Sequence, residues 1–440
     1  MHMSSYASVI VRDRVLLSFR NEVEPTFFFL FGQADIVRIT GPEAGAHPRY
    51  AANYDPLNED DPDVDPEVEL VLLEATVAVL RDRLDALGIG RATVEHWYRE
   101  LRNDLLAGNQ RLEEMRLDPA ISRRLGEVAD LWQDLSFDRW VSLTAQRMVD
   151  ERESGSQMEP DTTEHMLSLW DEVDSRVALR AILEVLGADE VVCLDVTPLI
   201  DSGWLDSTFD PQHLAEEHFG YVMANGTPAV ILTEGSSDVS ALEQAVRVLK
   251  PHLASYLRFF DFSFNAQGGA PALVRTLRSF AAAGISNRVV AVFDNDSAAR
   301  DAMRSLSSTA LPRHFVVISL PALDLARSYP TLGPTGEQPM DVNGLAGSIE
   351  LYMGLDALRD DGGRLRPVQW KGYVAGVDAY QGEVLGKSEV IDAYNRKVRV
   401  ALAEPAVRAG QDWSGMELIL SAVLSALGEQ VPSDPLSAHG

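Results

Sequence analysis

With 440 residues, 46% of them hydrophobic, the chain can bury more than one sizeable core, which excludes a single small module and fits two or three domains. A net charge of −29 at neutral pH excludes a general basic coat for nucleic acid, so any polyanion has to be met by a local basic patch or by bound cations. The one cysteine, Cys193 in the apolar run EVVCLDV, excludes an intramolecular disulfide and a cysteine-based zinc site and reads as a small core residue.

In chain order, SYASVIVRDRVLLSFRN sets two short apolar runs around Arg12-Asp13-Arg14 and predicts a β-hairpin. FFFLFG follows and reads as core, because a base-stacking platform needs spaced, exposed aromatics with basic neighbours. The acid-rich stretch DPLNEDDPDVDPEVE alternates Asp61, Asp63 and Asp65 like the start of a calcium loop. Pro66 stands where the turn glycine belongs and Leu72 where the bidentate Glu belongs, so a solvated loop is expected. Leu70, Leu73, Val77, Leu80, Leu84 and Leu87 alternate spacings of three and four up to Gly88, which predicts one buried helical stripe. ATVEHWYRELRNDLLAG predicts a second helix, and residues 120 to 187 read as helical with Trp132, Trp140 and Trp170 as packing anchors. His213 and His218 in HLAEEHF lie five apart, off the four-residue spacing that a zinc helix needs. No apolar stretch approaches the roughly 20 residues that span a bilayer, and the N-terminus lacks a basic region followed by an apolar one; no membrane association and a cytoplasmic location are expected.

From residue 228 the pattern changes. PAVILTEG, YLRFFDFSF, NRVVAVFDND and HFVVISLP read as strands, and between them SALEQAVRVLKPHL, APALVRTLRSFAAAG and SAARDAMRSL read as helices. That alternation predicts a doubly wound, Rossmann-like α/β domain with a parallel sheet, whose strand C-termini share one edge. Glu234 and Asp238 after one strand are then expected to meet Asp294 and Asp296 after another. Four carboxylates gathered there repel one another unless a divalent cation neutralises them, and an all-oxygen donor set suits Mg²⁺ or Mn²⁺. The competing reading is that these acids only cap the helices that begin beside them.

A strand ending in Glu-Gly, glycines after the next strand, and a later strand ending in Asp-x-Asp resembles the TOPRIM domain shared by topoisomerases, bacterial primases and OLD-family nucleases. TEGSSD supplies the Glu, QGG at 267 to 269 the central glycines and FDND the paired acids; the Asp four residues after the Glu is similar to the nuclease branch. The resemblance implies that Glu234, Asp294 and Asp296 hold metal, with Asp238 as a further ligand, or that Glu234 acts as general acid or base. A pair of metals about 4 Å apart would then serve an in-line attack on phosphorus. The N-terminal SYASVIVRDRVLLSFRN and the acid-rich stretch also resemble the N-terminal domain associated with HEPN and TOPRIM proteins of bacterial conflict systems, which implies antiphage defence. Arg91 and His96, four residues between them, match the signature of HEPN ribonucleases, whose His and Arg flank the scissile phosphate; the competing reading is a surface helix. The expected domains are an α+β N-terminal domain at 3–118, a helical region at 119–224, the TOPRIM domain at 225–325 and a C-terminal extension completing the site at 326–440.

In that extension YPTLGPTGEQPMDVNGLAGSIELYM reads as a glycine-rich loop running into a helix, with Glu350 as a candidate extra ligand or else an exposed charge. RLRPVQWKGY and YNRKVRV are the local basic clusters, and the resemblance to OLD-type nucleases implies that Lys371 or Lys387 neutralises a phosphate in the transition state. GEVLGKS falls one residue short of the P-loop spacing and no clear strand is expected before it, so ATP binding is rejected and an ATPase or activator would be a separate subunit. The expected function is metal-dependent cleavage of nucleic acid, DNA first and RNA such as tRNA second, by a chain that self-associates. The alternatives are a non-catalytic nucleic-acid or protein-binding sensor and a metal-independent HEPN-type RNase that depends on His96.

Overall fold

The computed structural model describes residues 5–12, 14–40, 42–45, 69–113, 126, 128–154, 163–171, 173–219, 228–262, 267–307, 309–334 and 336–429. The chain packs as two units, one within Met1–Gly226 and the other within Thr227–Gln430.

The first unit is built on an antiparallel sheet of β1 (Tyr6–Val11), β2 (Arg14–Arg20), β3 (Ile36–Thr40), β4 (Glu69–Thr76) and β5 (Val191–Asp195), in the order β2-β1-β5-β4-β3. The expected hairpin is β1–β2, and Arg12 turns it at a φ of +59°. The helix expected to start at Leu70 is corrected: Glu69–Thr76 is a strand, and the helix runs only over Val77–Ala86. LVLLEA is apolar almost without a break and is buried on both faces, so its residues satisfy a strand as well as they fit a three-and-four spacing. The Thr76 hydroxyl caps the helix where the strand ends.

Cys193 is fully buried at the sheet centre, as expected, because β5 pairs with β1 on one side and β4 on the other. The sheet therefore spans the boundary expected at residues 118 and 119. Phe27, Phe28, Phe29 and Phe31 are all buried, and the Tyr98 ring packs against those of Trp132, Phe137, Trp140 and Trp170. The Asp61, Asp63 and Asp65 stretch lies outside the described residues.

The second unit carries the predicted parallel sheet: β6 (Ala229–Leu232), β7 (Leu257–Phe259), β8 (Val289–Phe293) and, beyond the two-residue β9 (Asn295–Asp296), β10 (Phe315–Ser319). The order is β10-β8-β6-β7 with every pair parallel. VVAVF of β8 is buried at all five positions, as a strand covered by helices on both faces must be. Leu273 and Leu277 of the helix Ala270–Ala282 and Ala299 of the helix Ser297–Arg304 close the core over Leu232, Ala291 and Phe293.

A second sheet, in the order β12-β11-β14-β15, is formed by β11 (Tyr329–Gly333), β12 (Gly336–Met340), β14 (Val368–Val374) and β15 (Ala379–Val384), with the short β13 (Ala346–Gly347) pairing with β9. Three expectations change here. Residues 329 to 353 contain the β11–β12 hairpin and end in a short 3₁₀ turn, Ile349–Tyr352, rather than running as a loop into a helix. A strand does end before GKS, since β15 stops at Val384 and Gly386 at a φ of +69° opens the helix Lys387–Ala403; the glycine spacing stays one residue short of a P-loop. YNRKVRV is not wholly a surface cluster, because Lys397 is buried on the stripe formed by Val390, Tyr394, Val398 and Ala401. No helix among the described residues is long and apolar enough to cross a membrane.

Candidate functional site

In the parallel sheet the chain leaves β6 toward β7 on one side and β8 toward β10 on the other, so the strand order reverses between the C-termini of β6 and β8. Crevices at such a reversal are where open parallel sheets hold ligands. Glu234 follows β6 and Asp294 follows β8, and the two loops are joined directly: the Asp294 backbone N–H donates to Glu234 Oε1 at 2.9 Å. The central glycines complete this joint. Gly269 N–H donates to the Glu234 carbonyl at 2.6 Å, and a Cβ on Gly268 would lie 3.0 Å from that same oxygen. Gly269 also holds φ +91° and ψ 158°, a region that is essentially glycine's alone.

Each acid has its own local support. Asp238 occupies the third position of the helix Ser236–Leu249 and reaches back to the Gly235 N–H at 2.8 Å, so it caps that helix. Asp296 caps the helix Ser297–Arg304 through the Ala299 N–H at 2.7 Å and accepts from Gln381 of β15 at 3.0 Å. The β9–β13 pairing carries the chain onward to Glu350, and it needs Gly347, where a Cβ would stand 2.6 Å from the Asn295 carbonyl oxygen. Glu350 is 3% exposed, not a surface charge; it accepts from the Ser348 hydroxyl and pairs with Lys387 Nζ at 3.5 Å.

These groups act on one another electrostatically. Burial pushes Glu234 up to about 7, opposed by the Asp294 N–H and reinforced by Asp296 and Asp238. Burial lifts Asp238 to about 6, with Glu350 adding to the rise and the Gly235 N–H, Ser237 and Lys387 opposing it. Asp294 is held well above the carboxylate range by burial and then by the charges of Glu234, Asp238, Asp296 and Glu350 together. Burial works against the Lys387 ammonium, but Glu350, Asp294 and Glu383 outweigh it and keep the lysine above its ordinary value.

Among the described residues no three His, Cys, Asp or Glu side chains converge tightly enough to form a ready-made metal cage. The donor chemistry nonetheless suits a hard divalent cation, because every candidate donor is a carboxylate oxygen and their mutual repulsion falls when positive charge enters.

Of the two candidate lysines, Lys387 faces the acids, whereas Lys371 pairs with Glu383 across β14 and β15 at 2.6 Å. Arg91 is engaged by Glu95 at 2.9 Å, by Glu184 at 2.6 Å and by Asp138, and lies over the Phe137 ring. An arginine held by three carboxylates is poorly placed to receive a phosphate, and His96 stacks edge-on against Trp97 beside it. Gln381, Ser348 and Asn295 are neighbours of the site that sequence patterns did not single out; their roles arise from strands that meet only in the folded chain.

No curated protein and no solved structure matches the chain. Residues 3–219, nearly the whole of the first unit and across the boundary expected at 118 and 119, match the family model of HEPN/Toprim N-terminal domain 1.

Proposed function

We propose that the second unit is a divalent-metal-dependent nuclease that cleaves phosphodiester bonds, with DNA as first substrate and RNA such as tRNA as second, and that the chain serves in antiphage defence. One observation carries the reading: at the reversal point of a parallel sheet, Asp294 lies among four other acids, each of which raises its proton affinity, with Lys387 alongside. Glu234, Asp294 and Asp296, with Asp238 and Glu350, are the residues that would hold Mg²⁺ or Mn²⁺; Asp296 also keeps the loop in place through Ala299 and Gln381. When bound, divalent cations supply charge neutralisation at the phosphoryl oxygens and water activation.

The remaining chemistry belongs to side chains of this chain. Glu234, whose proton affinity is raised by burial in the metal-free protein, would act as general acid or base only in place of ligating the cation. Lys387 offers an ammonium to a phosphate oxygen and offsets part of the acidic surface locally. The matched N-terminal family, whose description links it to HEPN and Toprim proteins, supports a nuclease or defence role.

The test is to incubate purified protein with plasmid, single-stranded DNA and tRNA in Mg²⁺, Mn²⁺ or EDTA, beside Glu234→Ala and Asp294→Ala. Cutting that needs metal and is lost in both variants is the expected result. Cutting that survives EDTA and both substitutions would overturn the assignment.

A further inference from the structure

Beside the Glu234 loop lies an open pocket of about 1080 Å³, lined by Gly235 and by Gly268, which packs against the Glu234 carbonyl. Its other walls include Ser237, Ser240 and Glu243 from the helix Ser236–Leu249, Asp261 and Phe262 beyond β7, and Gln267. We propose that this cavity receives one unpaired nucleobase next to the scissile phosphate and reads its N–H donor edge, an inference that rests on the nuclease reading of the adjacent acids.

Three features select that occupant. No Lys or Arg is among the described lining residues, while the exposed Glu243 is, so an uncharged group with N–H donors is favoured there over a phosphate. Phe262 stands edge-on against Phe260, ring centroids 5.3 Å apart, and Phe260 is in turn set against Phe280 and the sheet core. The ring is therefore braced from behind, as a stacking partner for a base needs to be. The volume lies just above the usual range for small-ligand pockets, enough for a base with its sugar and some water.

Specificity follows from Glu243. Guanine offers two adjacent N–H donors that suit one carboxylate, and cytosine and adenine offer an exocyclic amine. Thymine and uracil present mainly carbonyl oxygens, which face the Glu243 carboxylate unfavourably. A base stacked on Phe262 with its N–H edge turned to Glu243 has no edge left for a pairing partner, so the substrate class is single-stranded nucleic acid or a strand with an extruded nucleotide.

The test uses the full chain carrying Asp294→Asn, so that strands are not cut. Fluorescence anisotropy would measure binding to all-thymidine strands whose central nucleotide is changed to guanosine, cytidine, adenosine or an abasic site, and to a duplex control. The abasic strand is expected to bind about tenfold more weakly than the guanosine strand, with thymidine between them and the duplex weakest. Adding Phe262→Ala should flatten all differences. Glu243→Gln, an exposed change that leaves the packing alone, should narrow the guanosine–thymidine gap only.

Affinity that ignores the central base, an absence of binding, or differences that persist in both variants would overturn the proposal. Wild-type cleavage is measured alongside. Cutting with base-indifferent binding removes the cavity assignment and leaves the nuclease reading, whereas base-dependent binding without cutting does the reverse.

Discussion

Replacing Glu234 by Gln should stabilise the metal-free protein at alkaline pH while ending catalysis. Burial, with help from Asp296 and Asp238, moves Glu234 from 4.5 to about 7. An acid whose folded pKa is raised contributes stability that is complete below its unfolded pKa and is lost as pH rises through the folded one. The wild type therefore loses stability between about pH 4.5 and 7, and a displacement of this size corresponds to roughly 3 kcal/mol at the upper end. Gln keeps the oxygen that accepts the Asp294 N–H and removes the charge, so about half of that loss should be recovered. For a unit of this size that means a melting temperature raised by roughly 3–6 °C in EDTA at pH 8, with little change at pH 4. Differential scanning calorimetry at both pH values, with EDTA and then with Mg²⁺, reads the effect. Added Mg²⁺ should stabilise the wild type more than the variant and reverse their order. A variant that melts lower than wild type in EDTA at pH 8, or shifts equally at both pH values, would refute the reasoning.

Lys387→Met removes the ammonium facing Glu350 and Asp294 and should lower single-turnover cleavage by roughly 10²-fold; an unchanged rate would place the lysine outside the chemistry. Gly269→Ala forces a Cβ onto a backbone at φ +91° and should cost roughly 1–3 kcal/mol in denaturant unfolding, with loss of cleavage because Gly269 holds the Glu234 carbonyl. Arg91→Ala and His96→Ala should leave metal-dependent cleavage intact, with Arg91→Ala lowering the melting temperature of the first unit; EDTA-resistant RNA cutting that both abolish would reinstate the HEPN-type reading. Lys397→Met, which strands the carbonyls of Met353 and Asp412 and removes the partner of the exposed Asp356, should destabilise the second unit by about 1–3 kcal/mol in chemical denaturation.

What could be read from the sequence divides along a physical line. The β6 and β8 strands were legible because a strand buried on both faces is an unbroken apolar run, and the acids at its end interrupt that run abruptly. The same property hid β4, whose unbroken run also fits helical spacing. The position of β5 at the centre of the first sheet was not legible, because its neighbours β4 and β1 lie more than a hundred residues upstream and local pattern carries no information on such pairing. Glu350 was named but its burial could not be known, since that follows from the two-residue contact of β9 with β13. Lys397 carries a signal in the sequence itself. It stands three residues after Tyr394 and one before Val398 on an otherwise apolar stripe, where a lysine must be buried with partners.

The supports given to the five acids are unequal, and the inequality identifies the centre of the site. Glu234 accepts from two backbone N–H groups, those of Asp294 and Ala270; Asp238 accepts from Gly235; Asp296 from Ala299 and Gln381; Glu350 from Ser348 and Lys387. Asp294 accepts no hydrogen bond among the described residues, yet it feels the charge of all four neighbours. A carboxyl group in that position has two ways to lower its free energy, to keep a proton or to share a cation. The other four acids acquire hydrogen-bond donors during folding. The one acid left dependent on an outside charge is at the strand end facing the reversal point, where a ligand can reach it, and the glycines at 268, 269 and 347 bring the surrounding backbone close enough to build the crevice around it.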